Sequence, residues 1–219
     1  MGKMEDSYRH KGLRKILIET LREKGIKDEV VLNAMMNIPR HFFLDGALEK
    51  IAYEDRAFPI ASGQTISQPY TVAFQTQLLD IKRFDKVLEI GTGSVYQASV
   101  LAELGAMVYT IERQRELFEL NKTFCLKSKY PNIHFFYGDG FEGLPTYAPF
   151  HKILITAAAP QIPPKLIAQL KVGGYMVLPL NDETEGHQIM MRLTKNEDGS
   201  LTEERFSNFS FVPMLKGRN

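Results

Sequence analysis

Residues 86–104 read KVLEIGTGSVYQASVLAEL, and this stretch decides the fold class. An apolar run of strand length, 87–90, leads directly into a turn that carries Gly91 and Gly93. A helical pattern then follows from about Tyr96 to Leu104. Glycines at a strand-to-helix turn let the backbone approach a ligand closely, and ligands in open α/β sheets bind at the carboxyl ends of the strands. We therefore expect Gly91 and Gly93 to line a binding crevice.

The alternation of apolar runs and helical patterns continues downstream, with MVYTI at 107–111, IHFFY at 133–137 and KILIT at 152–156. Such continuous runs are typical of parallel strands that are buried on both faces and joined by right-handed crossovers. After the pair Gly173-Gly174 come three further strand-like runs, YMVLPL, HQIMMRLT and RFSNFSFVPM. The pattern predicts an α/β fold, doubly wound and Rossmann-like, whose mostly parallel sheet ends in antiparallel C-terminal strands.

The first fifty residues predict helices, because apolar residues recur at helical spacing at positions 13, 16, 17 and 21. Gly25 stands where a C-terminal cap would, and Asp28 can cap the start of a second helix. We expect one domain over 1–219. It comprises a helical N-terminal segment at 1–60, a cofactor-binding core at 61–180 and C-terminal strands at 181–219.

Composition argues against several classes of function. The 219 residues include 27 basic and 26 acidic side chains, a net charge of +1, so neither nucleic acid nor an anionic membrane is indicated as a partner. No apolar run approaches the roughly 20 residues that span a bilayer, and no secretory apolar core is visible. Cys125 is the sole cysteine and the histidines show no HExxH spacing, so no metal is expected. These features predict a cytoplasmic protein.

Acidic residues near the strand ends indicate a nucleoside ligand. Glu112 ends the strand after the glycine turn, where a carboxylate can accept hydrogen bonds from ribose hydroxyls. NAD and S-adenosylmethionine both use this arrangement. Tyr96 replaces the third glycine of a dinucleotide site, and Glu89 suits a cationic sulfonium better than a pyrophosphate. S-adenosylmethionine is therefore the favoured cofactor.

Two polar segments have both a functional and a structural interpretation. Asp139, in Gly138-Asp139-Gly140, either accepts a hydrogen bond from an adenine amine or forms an ordinary Asp-Gly turn. Ser67, just before Pro69, either holds a carboxylate or caps the helix that Pro69 begins. From the residues alone, capping is the favoured interpretation of Ser67.

Several motifs together resemble the protein-L-isoaspartate O-methyltransferase family, and the resemblance covers nearly the whole chain. They include the early IPRHFF element at 38–43 and, further along, GQTISQPY, VLEIGTGSVYQASVLAEL, GDG, ITAAAPQIPPKLIAQLKVGGYMVLPL and FVPM. The QTISQP segment is distinctive of this family among methyltransferases. The resemblance implies S-adenosylmethionine as cofactor and isoaspartyl-containing proteins and peptides as substrates.

The resemblance also implies roles for individual residues. Ser67 matches the active-site serine of the family. Cofactor binding is expected of Thr65, Ile66, Ser67, Glu89, Gly91, Thr92, Gly93, Glu112, Asp139 and Gly140. Contact with the peptide is expected of Gln64, Val212 and Pro213, with an edge strand near 212–215 pairing with the peptide backbone.

The chain departs from the family pattern at two positions. Val95 stands where the family usually has glycine, and His151 where it commonly has aspartate. If φ at Val95 is positive, the backbone is strained and the affinity for the cofactor falls. The favoured interpretation is instead that Val95 has a helical φ and packs beneath the turn. His151 is interpreted as a surface or strand-start residue without a catalytic role.

The implied reaction is methyl transfer to the free α-carboxylate of an isoaspartyl residue, whose ester then closes to a succinimide. Two alternatives stay open: a class I methyltransferase that acts on RNA, a small molecule or a modified peptide, and a non-catalytic module that has kept the fold. A monomer or weak homo-oligomer is expected.

Overall fold

The computed structural model describes residues 5–182 and 187–219. Its N-terminal part holds two α-helices and short 3-10 turns, followed by a two-stranded antiparallel ribbon. These are α1 (Tyr8–Glu23), α2 (Glu29–Met36), the turns Arg40–Phe43, Gly46–Ile51 and Ala61–Gly63, and the ribbon strands β1 (Phe58–Pro59) and β2 (Thr65–Ile66). The predicted caps are confirmed. Gly25 has φ +97° after α1, and the Asp28 side chain accepts from Val30 N and Val31 N at the start of α2.

The rest of the chain alternates strands and helices. In chain order these are α3 (Pro69–Leu79), β3 (Lys86–Ile90), α4 (Tyr96–Glu103), β4 (Met107–Glu112), α5 (Arg115–Asn121), β5 (Ile133–Tyr137), β6 (Phe150–Ile155), α6 (Pro164–Gln169), β7 (Leu170–Asp182), β8 (His187–Lys195) and β9 (Leu201–Phe209). The seven-stranded sheet has the order β5-β4-β3-β6-β7-β8-β9. Its first five strands run parallel, and β8 and β9 complete it in antiparallel pairing. The predicted doubly wound, mixed sheet is confirmed.

The strand order reverses between β3 and β6, which are neighbours at the centre of the sheet. From β3 the chain proceeds to β4 and β5 on one side, and from β6 to β7 on the other. Because crossovers on the two sides leave in opposite directions, a crevice opens at the carboxyl ends of these two strands. This topology places the glycine turn after β3 at the crevice.

Two buried clusters of apolar residues sandwich the sheet. The larger one packs the helices α1, α2, α3 and α4 against one face of the sheet, and includes Leu17, Leu21 and Val87. The smaller one covers the other face, where Leu88 and Ile90 point. The helical N-terminal segment therefore shares a core with the sheet, although Ile16, expected on the apolar face of α1, is 64% exposed.

Two strand boundaries differ from expectation. Gly173 and Gly174 lie inside β7 and do not precede it, because the strand begins at Leu170. A Cβ on Gly174 would lie 2.6 Å from the carbonyl oxygen of His151, so glycine permits the close approach of β6 at this irregularity. The predicted last strand, 205–214, is divided: β9 ends at Phe209, and the following residues cross toward the end of β6.

Candidate active site

A cleft opens at the carboxyl ends of β3, β4 and β6 and encloses about 820 Å³, a volume that includes the part open to solvent. Ligands of open α/β sheets bind at this edge of the sheet. Eleven of the thirteen predicted site residues line it: Gln64, Thr65, Ile66, Ser67, Gly91, Thr92, Gly93, Glu112, Gly140, Val212 and Pro213. The other two, Glu89 and Asp139, lie outside its lining.

The glycine turn is shaped by contacts that a side chain would obstruct. Gly91 has φ +95°, and a Cβ there would lie 2.5 Å from Thr156 Oγ1. That hydroxyl lies 2.9 Å from each of the carbonyl oxygens of Ile90 and Gly91, to which it donates. Gly93 has φ +51°, and its carbonyl accepts from Asn121 Nδ2 at 3.0 Å. The turn is therefore held by Thr156 at one side and α5 at the other.

Glu112 ends β4 and is 5% exposed. Its two carboxylate oxygens accept hydrogen bonds from Gly93 N at 2.9 Å and Gln114 N at 2.8 Å. Each carboxylate oxygen can accept more than one hydrogen bond, so both can also face a diol. The carboxylate thus ties β4 to the glycine turn and presents acceptors to the cleft.

Glu89 lies behind the glycine turn, fully buried on β3. Its Oε2 accepts from Thr110 Oγ1 at 2.5 Å, and Thr110 Oγ1 lies 2.7 Å from Thr92 Oγ1, which lines the cleft. Burial, and to a smaller extent the nearby Glu112, raise the pKa of Glu89 to about 8 against the opposing hydrogen bond from Thr110. This pKa favours the neutral form at pH 7, and two hydroxyls separate the group from the cleft.

At the third strand end only the glycine reaches the cleft. Asp139 Oδ1 accepts from Phe141 N at 2.9 Å, and its Oδ2 accepts from Gly217 N at 2.7 Å. A Cβ on Gly140 would lie 2.3 Å from Ile90 Cγ2, so this turn presses on the floor of the cleft. The geometry favours the turn interpretation of Asp139, with its carboxylate also anchoring the C-terminal residues.

Ser67 does not cap α3, so the favoured interpretation from the residues alone is wrong. The N-cap position belongs to Gln68, and Tyr70 N donates to Asp55 Oδ1 at 2.8 Å, a carboxylate supplied from an earlier turn. Because Asp55 provides the cap, the Ser67 side chain is left to line the cleft.

Arg40 holds the backbone of this loop. It is fully buried, and it donates from Nη2 to Ser67 O at 2.8 Å and from Nε to Ala52 O at 3.1 Å. Its guanidinium lies 4.8 Å from the centre of the Tyr96 ring, which also lines the cleft. In the sequence, Arg40 stands out only as part of the family motif at 38–43. Its contact with Ser67 could not be predicted, because the two residues are 27 positions apart.

Val95 has φ +72°, in the left-handed region, so the favoured interpretation of a helical φ is wrong. It is the N-cap of α4 and is fully buried. A β-branched residue in this conformation costs roughly 1 kcal/mol or more, because its Cβ crowds the carbonyl oxygen. The turn tolerates this cost since Val95 N donates to Thr92 O at 2.9 Å and the side chain packs in the core.

The segment after β9 closes one side of the cleft. Val212 O accepts from Ala158 N, and Met214 N donates to Ala158 O, both at 2.8 Å. The predicted edge at 212–215 is therefore already paired along one side, with Ala158, which lies just beyond the end of β6. Only its other side is available for a peptide.

Thr156 was missed as a site residue although the signal was present. It follows β6 directly and lines the cleft. Arg113 and Ala157 also line the cleft and were not predicted, and Leu215 lines it within the predicted edge at 212–215. The rule that selected Glu112, a polar residue at a strand end, applies equally to KILIT. His151 lies at the opposite end of β6, where its Nδ1 accepts from Lys86 N at 3.0 Å, which agrees with a strand-start role.

A second groove, of about 1330 Å³, adjoins the cleft. The two share Thr65, Ser67, Thr156 and Val212. The remaining lining of the groove consists of Ala57, Gln68, Tyr70, Thr71, Phe209, Ser210 and Phe211. Ser67 and Thr156 thus stand where one cavity opens into the other.

Asp6, His10 and His41 form a cluster that motif spacing did not predict, with candidate ligand atoms within 4.8 Å of one another. Arg14 donates to both oxygens of Asp6, at 3.1 and 2.9 Å, and the two imidazole rings stack at 3.8 Å. The cluster ties the residues before α1 to the 3-10 turn at 40–43. The expectation of no metal stays a prediction.

Among the described residues, no helix combines the length and apolar character required for crossing a membrane.

The fold and cleft define a class I methyltransferase platform: a nucleoside-sized site at the switch point of a doubly wound sheet, with a glycine turn and an acid at the next strand end. The family model for protein-L-isoaspartate(D-aspartate) O-methyltransferase (PCMT) matches residues 12–219. The chain belongs to this family.

Relatives match along nearly their whole length. A protein-L-isoaspartate O-methyltransferase of Cytophaga hutchinsonii is 55% identical over 212 residues, 97% of this chain and 95% of that protein. One of Christiangramia forsetii is 51% identical over 216 residues, 99% of this chain and 100% of that protein.

Solved structures agree with the fold. A protein-L-isoaspartate O-methyltransferase superposes with a TM-score of 0.82 at 26% identity, over 91% of this chain and 65% of that one. A chain from Plasmodium falciparum, in complex with S-adenosyl-L-homocysteine, superposes with a TM-score of 0.81 at 23% identity, over 93% of this chain and 99% of that one.

Proposed function

We propose that this protein transfers the methyl group of S-adenosylmethionine to the free α-carboxylate of L-isoaspartyl residues in damaged proteins and peptides, and so initiates their repair. The observation that carries the proposal is the junction of two cavities at Ser67 and Thr156, in a chain that belongs to this family. One cavity suits the cofactor and the other an extended peptide.

The residues of the cleft fit S-adenosylmethionine. Glu112 offers acceptors for ribose hydroxyls, and the backbone at Gly91 lies open to a methionine moiety because only glycine fits beside Thr156. The cofactor, when bound, supplies an electrophilic methyl group. Gly140 and Ile111 leave an uncharged surface for the adenine ring of the cofactor. Glu89 acts through Thr110 and Thr92, so we assign it a positioning role.

The acceptor side of the site needs to orient a nucleophile and exclude water. An α-carboxylate has a pKa of about 3.5 and is ionised at neutral pH, so no general base is required. Ser67 has a hydroxyl that can donate one hydrogen bond to that carboxylate. A neutral donor aligns the nucleophile without the strong pairing that a Lys or Arg would impose. Ser67 thereby positions the acceptor, and Arg40 fixes the backbone of Ser67.

Recognition of the isoaspartyl backbone falls to the free side of residues 212–215. An isoaspartyl link lengthens the main chain by one methylene, so a site that aligns backbone groups can discriminate against normal aspartate. Pairing with Ala158 holds Val212 and Met214 in an extended conformation. The proposed peptide contacts are Val212, which lines both cavities, and Gln64 and Pro213, which line the cleft.

The decisive experiment offers labelled S-adenosylmethionine with three acceptors: a peptide with one isoaspartyl residue, its aspartyl twin and a structured RNA. We expect base-labile label on the isoaspartyl peptide alone. Label on RNA would replace the proposed substrate while leaving the fold unchanged, and no transfer to any acceptor would support a non-catalytic module. A steep loss of activity with salt, typical of nucleic-acid binding, is not expected of a chain with net charge +1.

A cytoplasmic location and a monomeric or weakly associating state belong to the same proposal. Cell fractionation tests the first. Sedimentation at several protein concentrations tests the second, with a concentration-independent mass expected for a monomer.

A further inference from the structure

The second groove has an aromatic wall, formed by Tyr70, Phe209 and Phe211. The ring of Phe209 lies 6.3 Å from that of Tyr70 and 6.4 Å from that of Phe211. Behind the wall, Phe74 contacts Tyr70 at 5.8 Å and Phe209 at 5.2 Å, and Phe206 packs on Phe74 at 5.7 Å. The wall is thus the open end of an aromatic stack rooted in the larger core cluster.

The outer edge of the wall is held in place by Gln188 on β8. Phe211 N donates to Gln188 Oε1 at 2.6 Å, and Gln188 Nε2 donates to Phe211 O at 3.2 Å. The side-chain amide thereby pairs with Phe211 as a neighbouring strand would. A ring fixed in this way presents a preformed apolar surface, which lowers the entropic cost of binding.

The lining of the groove carries no charged side chain among the described residues. A lysine or glutamate of a peptide placed there would lose hydration without gaining an ionic partner. An apolar or aromatic side chain would instead bury its surface against the wall. The groove therefore offers a charged side chain no ionic partner, while its aromatic wall offers an apolar side chain a surface to bury against.

The wall adjoins the proposed position of the acceptor, since Tyr70 follows Ser67 by three residues and Phe211 directly precedes Val212. Ser67 and Val212 both line the cleft as well as the groove. Successive residues of an extended chain are spaced by about 3.3 Å, so a residue adjacent to the one at Ser67 reaches the neighbouring part of the same groove. Building on the proposed function, we propose that Tyr70, Phe209 and Phe211 form a subsite for an apolar side chain next to the isoaspartyl residue.

The test measures kcat/KM for methyl transfer to pentapeptides with a central isoaspartyl residue. Each of its two neighbours is varied in turn among Phe, Leu, Ser, Lys and Glu. At one of the two positions we expect Phe or Leu to exceed Lys and Glu by about 10- to 100-fold, mostly through KM, the range expected for burying one apolar side chain. Equal values within about twofold at both positions would overturn the subsite and leave the proposed function standing.

Two variants locate the preference. Phe211→Ala and Tyr70→Ala should each reduce the ratio between the Phe and Lys peptides by about tenfold, while the Lys peptide itself changes little. Phe84→Ala is the matched control, because Phe84 is 67% exposed and lies outside the groove lining. A ratio that survives both wall substitutions in folded variants would place the preference elsewhere. Absence of transfer to every peptide would overturn the proposed function and the subsite with it.

Discussion

The cofactor side and the acceptor side of the site are built in different ways. The cofactor side consists of the ends of adjacent strands: Gly91 follows β3, Glu112 ends β4 and Gly140 lies three residues after β5. The acceptor side is assembled from distant segments: Arg40 and Asp55 hold the loop around Ser67, and Gln188 holds Phe211. The first is determined by sheet topology and the second by individual long-range hydrogen bonds. Substitutions should therefore affect cofactor binding on one side and acceptor alignment on the other.

The largest effect on cofactor affinity is expected at the glycine turn. Gly91→Ala places a Cβ 2.5 Å from Thr156 Oγ1 at φ +95°, so the turn must shift and the Thr156 bonds break. Calorimetric titration should show cofactor affinity reduced by about 30-fold or more, equivalent to about 2 kcal/mol. Gly12→Ala in α1 is the control, since a Cβ there meets no atom within 4 Å. Unchanged affinity in Gly91→Ala would refute a cofactor role for the turn.

Arg40→Met should act on stability as well as on the reaction. It removes a fully buried guanidinium and leaves the carbonyl oxygens of Ser67 and Ala52 unpaired. We expect the free energy of unfolding to fall by about 2–4 kcal/mol, with a loss of kcat/KM toward the peptide that exceeds the loss of cofactor affinity. Arg56→Met on the surface is the control. Equal losses of kcat/KM toward the peptide and of cofactor affinity would show that the two sides of the site are not independent.

Ser67→Ala tests the acceptor side, because it removes the hydroxyl and keeps the backbone that lines the cofactor cleft. Loss of one hydrogen bond to a carboxylate should lower kcat/KM by about 5- to 150-fold, or roughly 1–3 kcal/mol, without a change in cofactor affinity. Ser200→Ala, in the exposed turn before β9, should have no effect. If Ser67→Ala keeps the wild-type kcat/KM, Ser67 has no role in the reaction.

A pair of substitutions at Val95 tests whether the backbone of the cofactor turn is strained. Both Val95→Gly and Val95→Ala remove a fully buried side chain, but only glycine relieves the strain at φ +72°. The glycine variant should be more stable than the alanine variant by about 1 kcal/mol in denaturant unfolding. An alanine variant of equal or greater stability would show that the turn relaxes in solution.

The smallest effect concerns pH and the N-terminal cluster. Burial lowers the pKa of His41, and the neighbouring His10 lowers it further, while Asp6, Glu49 and a hydrogen bond to the Glu5 carbonyl oppose the shift. The folded state then binds fewer protons than the unfolded state, whose pKa is about 6.5. His41 should therefore reduce stability as pH falls below about 6.5, through the pH range between the unfolded pKa and the lowered folded pKa. Melting temperatures should show a shallower acid decline in His41→Gln, and an identical decline would exclude His41 as the cause.

The difference between the two sides also explains what the sequence could predict. Strand positions and the residues at strand ends follow from hydrophobic patterns, so the mostly parallel sheet and the placement of Glu112 were predictable. The same rule would have found Thr156. The support of Ser67 by Arg40 and Asp55 was not predictable, because these contacts span 27 and 15 residues and carry no periodic signal. The positive φ of Val95 was also missed, since a β-branched residue rarely adopts it.

The central claim is that the two cavities bring a methyl donor and an isoaspartyl α-carboxylate together at Ser67. The most direct test is to locate the transferred group by NMR, using S-adenosylmethionine with a ¹³C-labelled methyl and a peptide with one isoaspartyl residue. In samples quenched in acid before the ester closes to the succinimide, we expect an ester methyl whose three-bond correlation reaches the α-carboxyl carbon of that residue. A methyl group on a side-chain nitrogen, on the C-terminal carboxylate or on the aspartyl twin in equal yield would contradict it.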